Sequence, residues 1–256
     1  MAISDMSFAE RAALFANLSA IAYSDEADAK KQVKKLGFTQ VEFYNNHGAQ
    51  AYRFQNKDDM VIACRGTQPT EFNDIKADLN AIPVVAETVS RVHKGFKAEV
   101  DELWPMILED LDPKAIGKRK LWVTGHSLGA AMATIVASRC SLEQSYEAKV
   151  EELHTFGSPR VGWRKYCKSL SVTHYRWRNN NDIVTTVPPA FMGYKHDGEL
   201  CYIDSAGDVR IGMPWIKRAG DKLKCMVKGI FSLRIDNFAD HSIMEYAKHL
   251  NKWSKQ

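Results

Sequence analysis

An α/β fold with a central, mostly parallel sheet flanked by helices is what this chain predicts, on three observations. From Lys120 to Cys140 an apolar strand runs into Gly125-His126-Ser127-Leu128-Gly129 and then into a helix of Ala, Met, Ile and Val. Upstream, strand-like runs separated by turn residues lead into Met60-Val-Ile-Ala-Cys64, which reads as a buried core strand. The third is size: 256 residues with 45% apolar content are enough for one large core, so a single domain spanning 1–256 is expected.

Bulk properties narrow the function classes. A net charge of +4 from 35 basic and 31 acidic residues is mild and mixed along the chain, which gives nucleic-acid binding little support. The five cysteines, Cys64, Cys140, Cys167, Cys201 and Cys225, are odd in number and widely spaced, with no CxxC or Cys/His cluster. Free, mostly buried thiols are expected, and neither a metal nor an organic cofactor is implied. Glu10 and Arg11 interrupt Phe8 to Leu18, so no signal peptide is visible. The expected location is cytoplasmic, or exported by a route not visible here, or secreted if a signal was removed. No apolar segment approaches the length of a bilayer span.

Taken in order, Ser7-Phe-Ala-Glu10 has capping-box spacing, and Leu14, Phe15, Leu18, Ile21 and Ala22 follow on one face of a helix to about Tyr23. A Lys-rich helix from about Asp25 to Leu36 stops at Gly37, where a glycine cap belongs. Thr39 to Tyr44, a turn at Asn45-Asn46-His47-Gly48, Gln50 to Gln55, a turn at Lys57-Asp58-Asp59 and the core strand form an antiparallel meander. At the carboxyl end of that core strand stands Arg65-Gly66-Thr67, the place where ligand-facing residues of α/β sheets collect. Thr67 offers a hydroxyl and a backbone N–H there.

Thr70 to Leu79 puts Phe72, Ile75 and Leu79 on one face of a short helix, which reads either as a surface helix or as a lid. Val92 to Phe96 leads into a helix to about Leu111, with Pro105 expected to kink or break it. Further strands are expected at Glu152 to Phe156 and Val172 to Arg178, and a hairpin at Leu200 to Ile211. Trp215 to Leu233 is a basic amphipathic stretch, either an ordinary packed helix or one lying on a membrane surface. Ser242 to Trp253 carries Ile243, Tyr246, Ala247, Leu250 and Trp253 on one helical face.

The chemistry centres on Ser127. Gly-x-Ser-x-Gly between a strand and a helix is a nucleophile elbow, in which flanking glycines permit a turn too tight for side chains. The following helix aims unpaired N–H groups and a positive dipole end at whatever the serine attacks. A serine hydroxyl needs a base, and the base needs a group that holds its tautomer. With the order Ser, acid, His, the candidates are His154, His174, His196, His241 and His249. His154 and His174 lie inside strands and His249 inside the last helix, whereas His241 stands at a loop-to-helix junction and is favoured over His196. For the acid, Asp182 follows a strand end and precedes Pro188-Pro189, although an Asx turn explains it equally. Asp204 and Asp208 read as hairpin-turn residues.

Gly125 to Gly129, Arg65-Gly-Thr67, Val92 to Phe96, Thr155-Phe-Gly-Ser-Pro-Arg-Val-Gly162, Asn181-Asp-Ile-Val184 with Pro188-Pro189, and Asp240-His241 resemble the successive motifs of the class 3, fungal-type lipases. The resemblance runs from about Tyr52 to His241. It implies an α/β-hydrolase fold with Ser127 as nucleophile, Asp182 as triad acid and His241 as base. It also implies an oxyanion hole from Thr67 and the Leu128 N–H, and a lid at about 68–83 carrying Phe72, Ile75 and Leu79. The implied activity is cleavage of a lipid ester, as a triacylglycerol lipase acting at a lipid–water interface. Phospholipase A1 or soluble short-chain esterase activity is the near alternative, and a non-catalytic lipid-binding protein the distant one. Cys64 stands where the family usually has Phe, and Ala130 where many members have a second glycine.

Overall fold

Local signals at the N-terminus act as their chemistry dictates. The Ser7 hydroxyl accepts from the Glu10 N–H and the Glu10 carboxylate accepts from the Ser7 N–H, which closes a capping box on helix α1 (Phe8–Ile21). Asp25 caps α2 (Glu26–Lys34), and the chain leaves that helix through Gly37 at φ 89°. Strands β1 (Gln40–Asn46), β2 (Ala49–Gln55) and β3 (Asp59–Cys64) follow as an antiparallel meander. The first turn is tighter than expected: Asn45 and Asn46 remain in the ladder opposite Gln50 and Ala49, and only His47 and Gly48 turn, both at positive φ. The computed structural model describes residues 1–66, 81–142, 149–212 and 239–256.

Beyond residue 80 come β4 (Pro83–Val85), β5 (Arg91–His93), α3 (Lys94–Asp110) and the short α4 (Pro113–Ile116). Pro105 does not break α3. Its missing N–H costs one helical hydrogen bond, but Val100, Leu103 and Ile107 are buried on both sides of it and hold the helix to the sheet. The chain continues through β6 (Lys120–His126), α5 (Leu128–Cys140), β7 (Val150–Phe156), β8 (Gly162–Trp163), α6 (Arg164–Ser169) and β9 (Thr173–Asn179). Last are β10 (Tyr194–Lys195), β11 (Glu199–Ile203), β12 (Val209–Ile211) and α7 (Ile243–Trp253).

Eight strands form the main sheet in the order β1-β2-β3-β6-β7-β9-β11-β12, and the five from β3 to β11 are mutually parallel. Each face is covered. Met60, Ile62, Leu121 and Val123 pack beneath α3 and α5, while Val61, Ala63, Trp122 and Trp177 pack against α1 and α7. Alternate residues of one strand thus belong to two cores, which is why these strands are apolar throughout. The small antiparallel sheet β10-β8-β5-β4 was not expected, because strands of two or three residues carry no readable periodicity. Cys64, Cys167 and Cys201 are buried and free, Cys140 is buried, and Cys225 lies outside the described residues.

Candidate active site

Strand β6 ends at His126 and α5 begins at Leu128, so Ser127 alone makes the turn, at φ 59° and ψ −129°. A non-glycine residue is rarely held there, and the surroundings over-determine it. The Ser127 N–H donates to the Phe156 carbonyl on β7 and the Ser127 carbonyl accepts from Ala130 N–H, both at 3.0 Å. A Cβ on Gly125 would collide with the Gly129 carbonyl, and one on Gly129 with the Cys64 carbonyl of β3. The two glycines therefore let α5 sit directly on the sheet. Leu128 is the first residue of α5, so its N–H has no carbonyl one turn back within the helix to receive it.

The structure brings three of the residues singled out in the sequence into one line. His241, in a 3-10 turn at Ala239–His241, places Nε2 2.8 Å from Ser127 Oγ and Nδ1 2.9 Å from Asp182 Oδ2. Asp182 is fully buried and its acceptors are in use: Oδ2 also receives the Tyr246 hydroxyl at 2.6 Å, and Oδ1 receives the Val184 N–H at 2.9 Å. Burial opposes ionisation of this carboxyl, but the His241 imidazole and the hydrogen bonds from His241 and Tyr246 outweigh it and hold its pKa below the ordinary aspartate value. With Nδ1–H given to Asp182, Nε2 of a neutral His241 is an acceptor facing a hydroxyl.

The competing residues have other partners. His196 donates from Nε2 to the Thr185 carbonyl, His154 sits between Glu152 and Trp177 Nε1, and His174 sits between Thr155 and Asp197. Asp204 accepts from the Ala206 and Asp208 N–H groups of its hairpin, and with Asp208 it pairs Arg210. Thr67, the suggested lid residues Phe72, Ile75 and Leu79, and the basic stretch from Trp215 to Leu233 lie outside the described residues. Among the described residues, no group of three His, Cys, Asp or Glu side chains could hold a metal ion.

Two features of the site escaped sequence reasoning. Gly157 has φ 60°, and a Cβ there would lie 2.7 Å from Asp182 Oδ2 and 2.8 Å from His241 Nδ1, so only glycine leaves room for the pair to meet. Tyr246 reads in sequence as part of the apolar face of α7. Its ring is indeed in the core, while its hydroxyl accepts the Asn179 N–H and donates to Asp182.

Burial also keeps a set of imidazoles neutral. It pushes His93 down to about 4 and His126 down to about 3, and lowers His154, His174 and His196 as well. Unfolded, each would titrate near the ordinary histidine value of 6.5. As pH falls below that value the unfolded chain takes up protons that the folded one refuses, so folding stability is lost from about pH 6.5 downward, at roughly 1.4 kcal/mol per pH unit each for His93 and His126 until their folded values are reached. Urea unfolding at pH 7.5 and pH 5 is expected to show a clearly lower midpoint at pH 5. Equal midpoints would contradict the neutral burial.

Comparison with known proteins fits this geometry. The family model described as Lipase (class 3) matches residues 61–192, more than half of the chain. The chain belongs to the class 3 lipase family. The matched span includes Ser127 and Asp182, and His241 lies beyond it. Its curated relatives include the lipase of Rhizomucor miehei, 33% identical over an alignment of 186 residues, with 69% of this chain and 50% of that protein covered. Toxin TseL of Vibrio cholerae is 26% identical over 216 residues, 66% of this chain and 33% of the toxin. The chain therefore spans half or less of the length of these two relatives. A solved triacylglycerol lipase whose catalytic centre is formed by a serine protease triad superposes with a TM-score of 0.63 at 25% identity, covering 78% of this chain and 82% of that one. The sheet order and elbow described above are those of an α/β-hydrolase fold. No helix among the described residues is long and apolar enough to cross a membrane.

Proposed function

We propose that this class 3 lipase is a serine hydrolase that cleaves carboxylic esters of lipids, triacylglycerols foremost, through an acyl-enzyme on Ser127. The observation that carries the reading is the unbroken relay from Ser127 Oγ through His241 to a buried, ionised Asp182. His241 Nε2 takes the hydroxyl proton as Oγ adds to the ester carbonyl. The negative charge that develops on the carbonyl oxygen is met by the Leu128 N–H, the positive end of α5 and, on the sequence reading, Thr67. Collapse expels the alcohol, which leaves with the proton held by His241. A water then gives its proton to His241 and attacks the acyl ester, the fatty acid departs and Ser127 regains its hydrogen. Asp182 stays ionised throughout and holds the imidazole in the useful tautomer.

A triacylglycerol met at a lipid–water interface is the substrate that fits the family and the apolar face of Phe72, Ile75 and Leu79 suggested as a lid. The test is labelling by a fluorophosphonate together with turnover over an ester chain-length series, above and below substrate aggregation. Wild type is expected to label and Ser127→Ala to remain unlabelled, with turnover rising once the substrate aggregates. Equal labelling of Ser127→Ala would remove the serine from the mechanism. Activity confined to dissolved short esters would instead make the protein a soluble esterase, and preference for phospholipid vesicles a phospholipase A1.

A further inference from the structure

One buried hydrogen-bonded chain at the site has no part in the relay yet ends on its base. His126, the residue before the nucleophile, lies 2.7 Å through Nε2 from the backbone carbonyl of His241, and its ring stands 4.5 Å from the His241 ring. A carbonyl only accepts, so Nε2 carries the hydrogen. The other nitrogen, Nδ1, lies 2.9 Å from the Tyr23 hydroxyl. Burial holds His126 neutral at pH 7, with a pKa pushed down to about 3, so Nδ1 is an acceptor and the Tyr23 O–H is its donor. The Tyr23 hydroxyl lies close against Gly66. Gly66 has space for nothing larger, since a Cβ there would lie 2.5 Å from the Tyr23 hydroxyl and 2.6 Å from the His126 carbonyl.

We infer that Tyr23 and His126 are positioning residues for the base, a second-chain anchor that holds the His241 main chain while Asp182 holds its ring. The inference rests on the reading of His241 as base. Asp182 holds the ring through Nδ1, Asn179 and Asn181 hold the preceding Asp240, and His126 holds the His241 carbonyl itself. The Tyr23 hydroxyl selects the only neutral tautomer of His126 able to make that bond. Tyr23 follows the end of α1, outside the span that the family model matches, and it enters the site only through the packing of α1 across the sheet.

The experiment compares His126→Leu, His126→Gln and Tyr23→Phe with wild type on a short p-nitrophenyl ester, together with the rate of fluorophosphonate labelling and thermal unfolding. A displaced base slows chemistry without weakening binding. His126→Leu is therefore expected to lower kcat and the labelling rate together by about ten- to a hundredfold, with KM changed less than about twofold. Gln retains an N–H near the Nε2 position, so His126→Gln is expected to recover most of the loss at an unfolding temperature no higher than that of His126→Leu. Tyr23→Phe is expected to lower kcat several-fold in the same pattern, roughly the value of one lost hydrogen bond. Wild-type kcat in His126→Leu, or a folded His126→Gln no faster than His126→Leu, overturns the inference. Should His126→Leu not fold, wild-type kcat in Tyr23→Phe overturns it. A His241→Ala variant run alongside separates the two readings: if it is active, the base assignment itself fails, and if it is inactive while His126→Leu is fully active, only the positioning role fails.

Discussion

His241→Ala is expected to lower kcat on a soluble ester by about a millionfold while leaving KM nearly unchanged. The size follows from the geometry. Ser127 Oγ has the His241 Nε2 acceptor at 2.8 Å, and without it the hydroxyl must lose its proton to water at neutral pH, where a serine alkoxide is negligible. What remains is the contribution of the Leu128 N–H, the α5 dipole and substrate binding, which is all that such a site retains once the relay is cut. Among the described residues the neighbouring His126 cannot take over: its Nε2–H is committed to the His241 carbonyl and burial keeps it from accepting a proton at pH 7. Steady-state rates with active-site titration check this, and a loss below about a hundredfold would mean that another group serves as base.

Asp182→Asn is expected to cost about ten-thousandfold in kcat, more than loss of a charge alone would explain. Both orientations of the amide fail. With its nitrogen toward His241 it faces the Nδ1–H and the Tyr246 hydroxyl, two donors, and drives the imidazole to the tautomer whose Nε2–H points at Ser127. Reversed, the nitrogen faces the Val184 N–H, an equally buried donor. The base is then mis-tautomerised or the loop after β9 is disturbed. Comparing kcat for Asp182→Asn and Asp182→Ala checks the argument, because an Asn variant within tenfold of wild type would show that tautomer control is not the role of the carboxylate.

How much of this was legible in the residues depends on the range of the interaction that carries it. The capping box at Ser7, the glycine stop at Gly37 and the strand, glycine-bracketed serine and helix from Lys120 to Cys140 are local, and the structure contains each of them. Pro105 and the turn at Asn45 show the opposite case, since a local preference yielded to burial of α3 in one and to ladder pairing with β2 in the other. Within the site, the sequence order of serine, acid and histidine left His196 beside His241 as a candidate base, and Asp182 open to reading as a simple turn residue. Only the crossing of β7, β9 and the chain before α7 decides between them, by giving His196 the Thr185 carbonyl and giving His241 the hydroxyl.

Strand and helix periods, caps and the elbow arise between residues a few positions apart, so the sequence by itself determined the α/β layering and the place of Ser127 at the turn. Ser127 and His241 stand 114 positions apart along the chain and His241 and Asp182 59 apart, and their meeting depends on the sheet order, on a glycine at 157 and on a tyrosine of α7 whose ring and hydroxyl serve different ends. No local pattern encodes such contacts, because each is the product of several packed elements at once. The tertiary structure alone therefore decided which imidazole faces Ser127, and how Tyr23 and His126 come to rest against it.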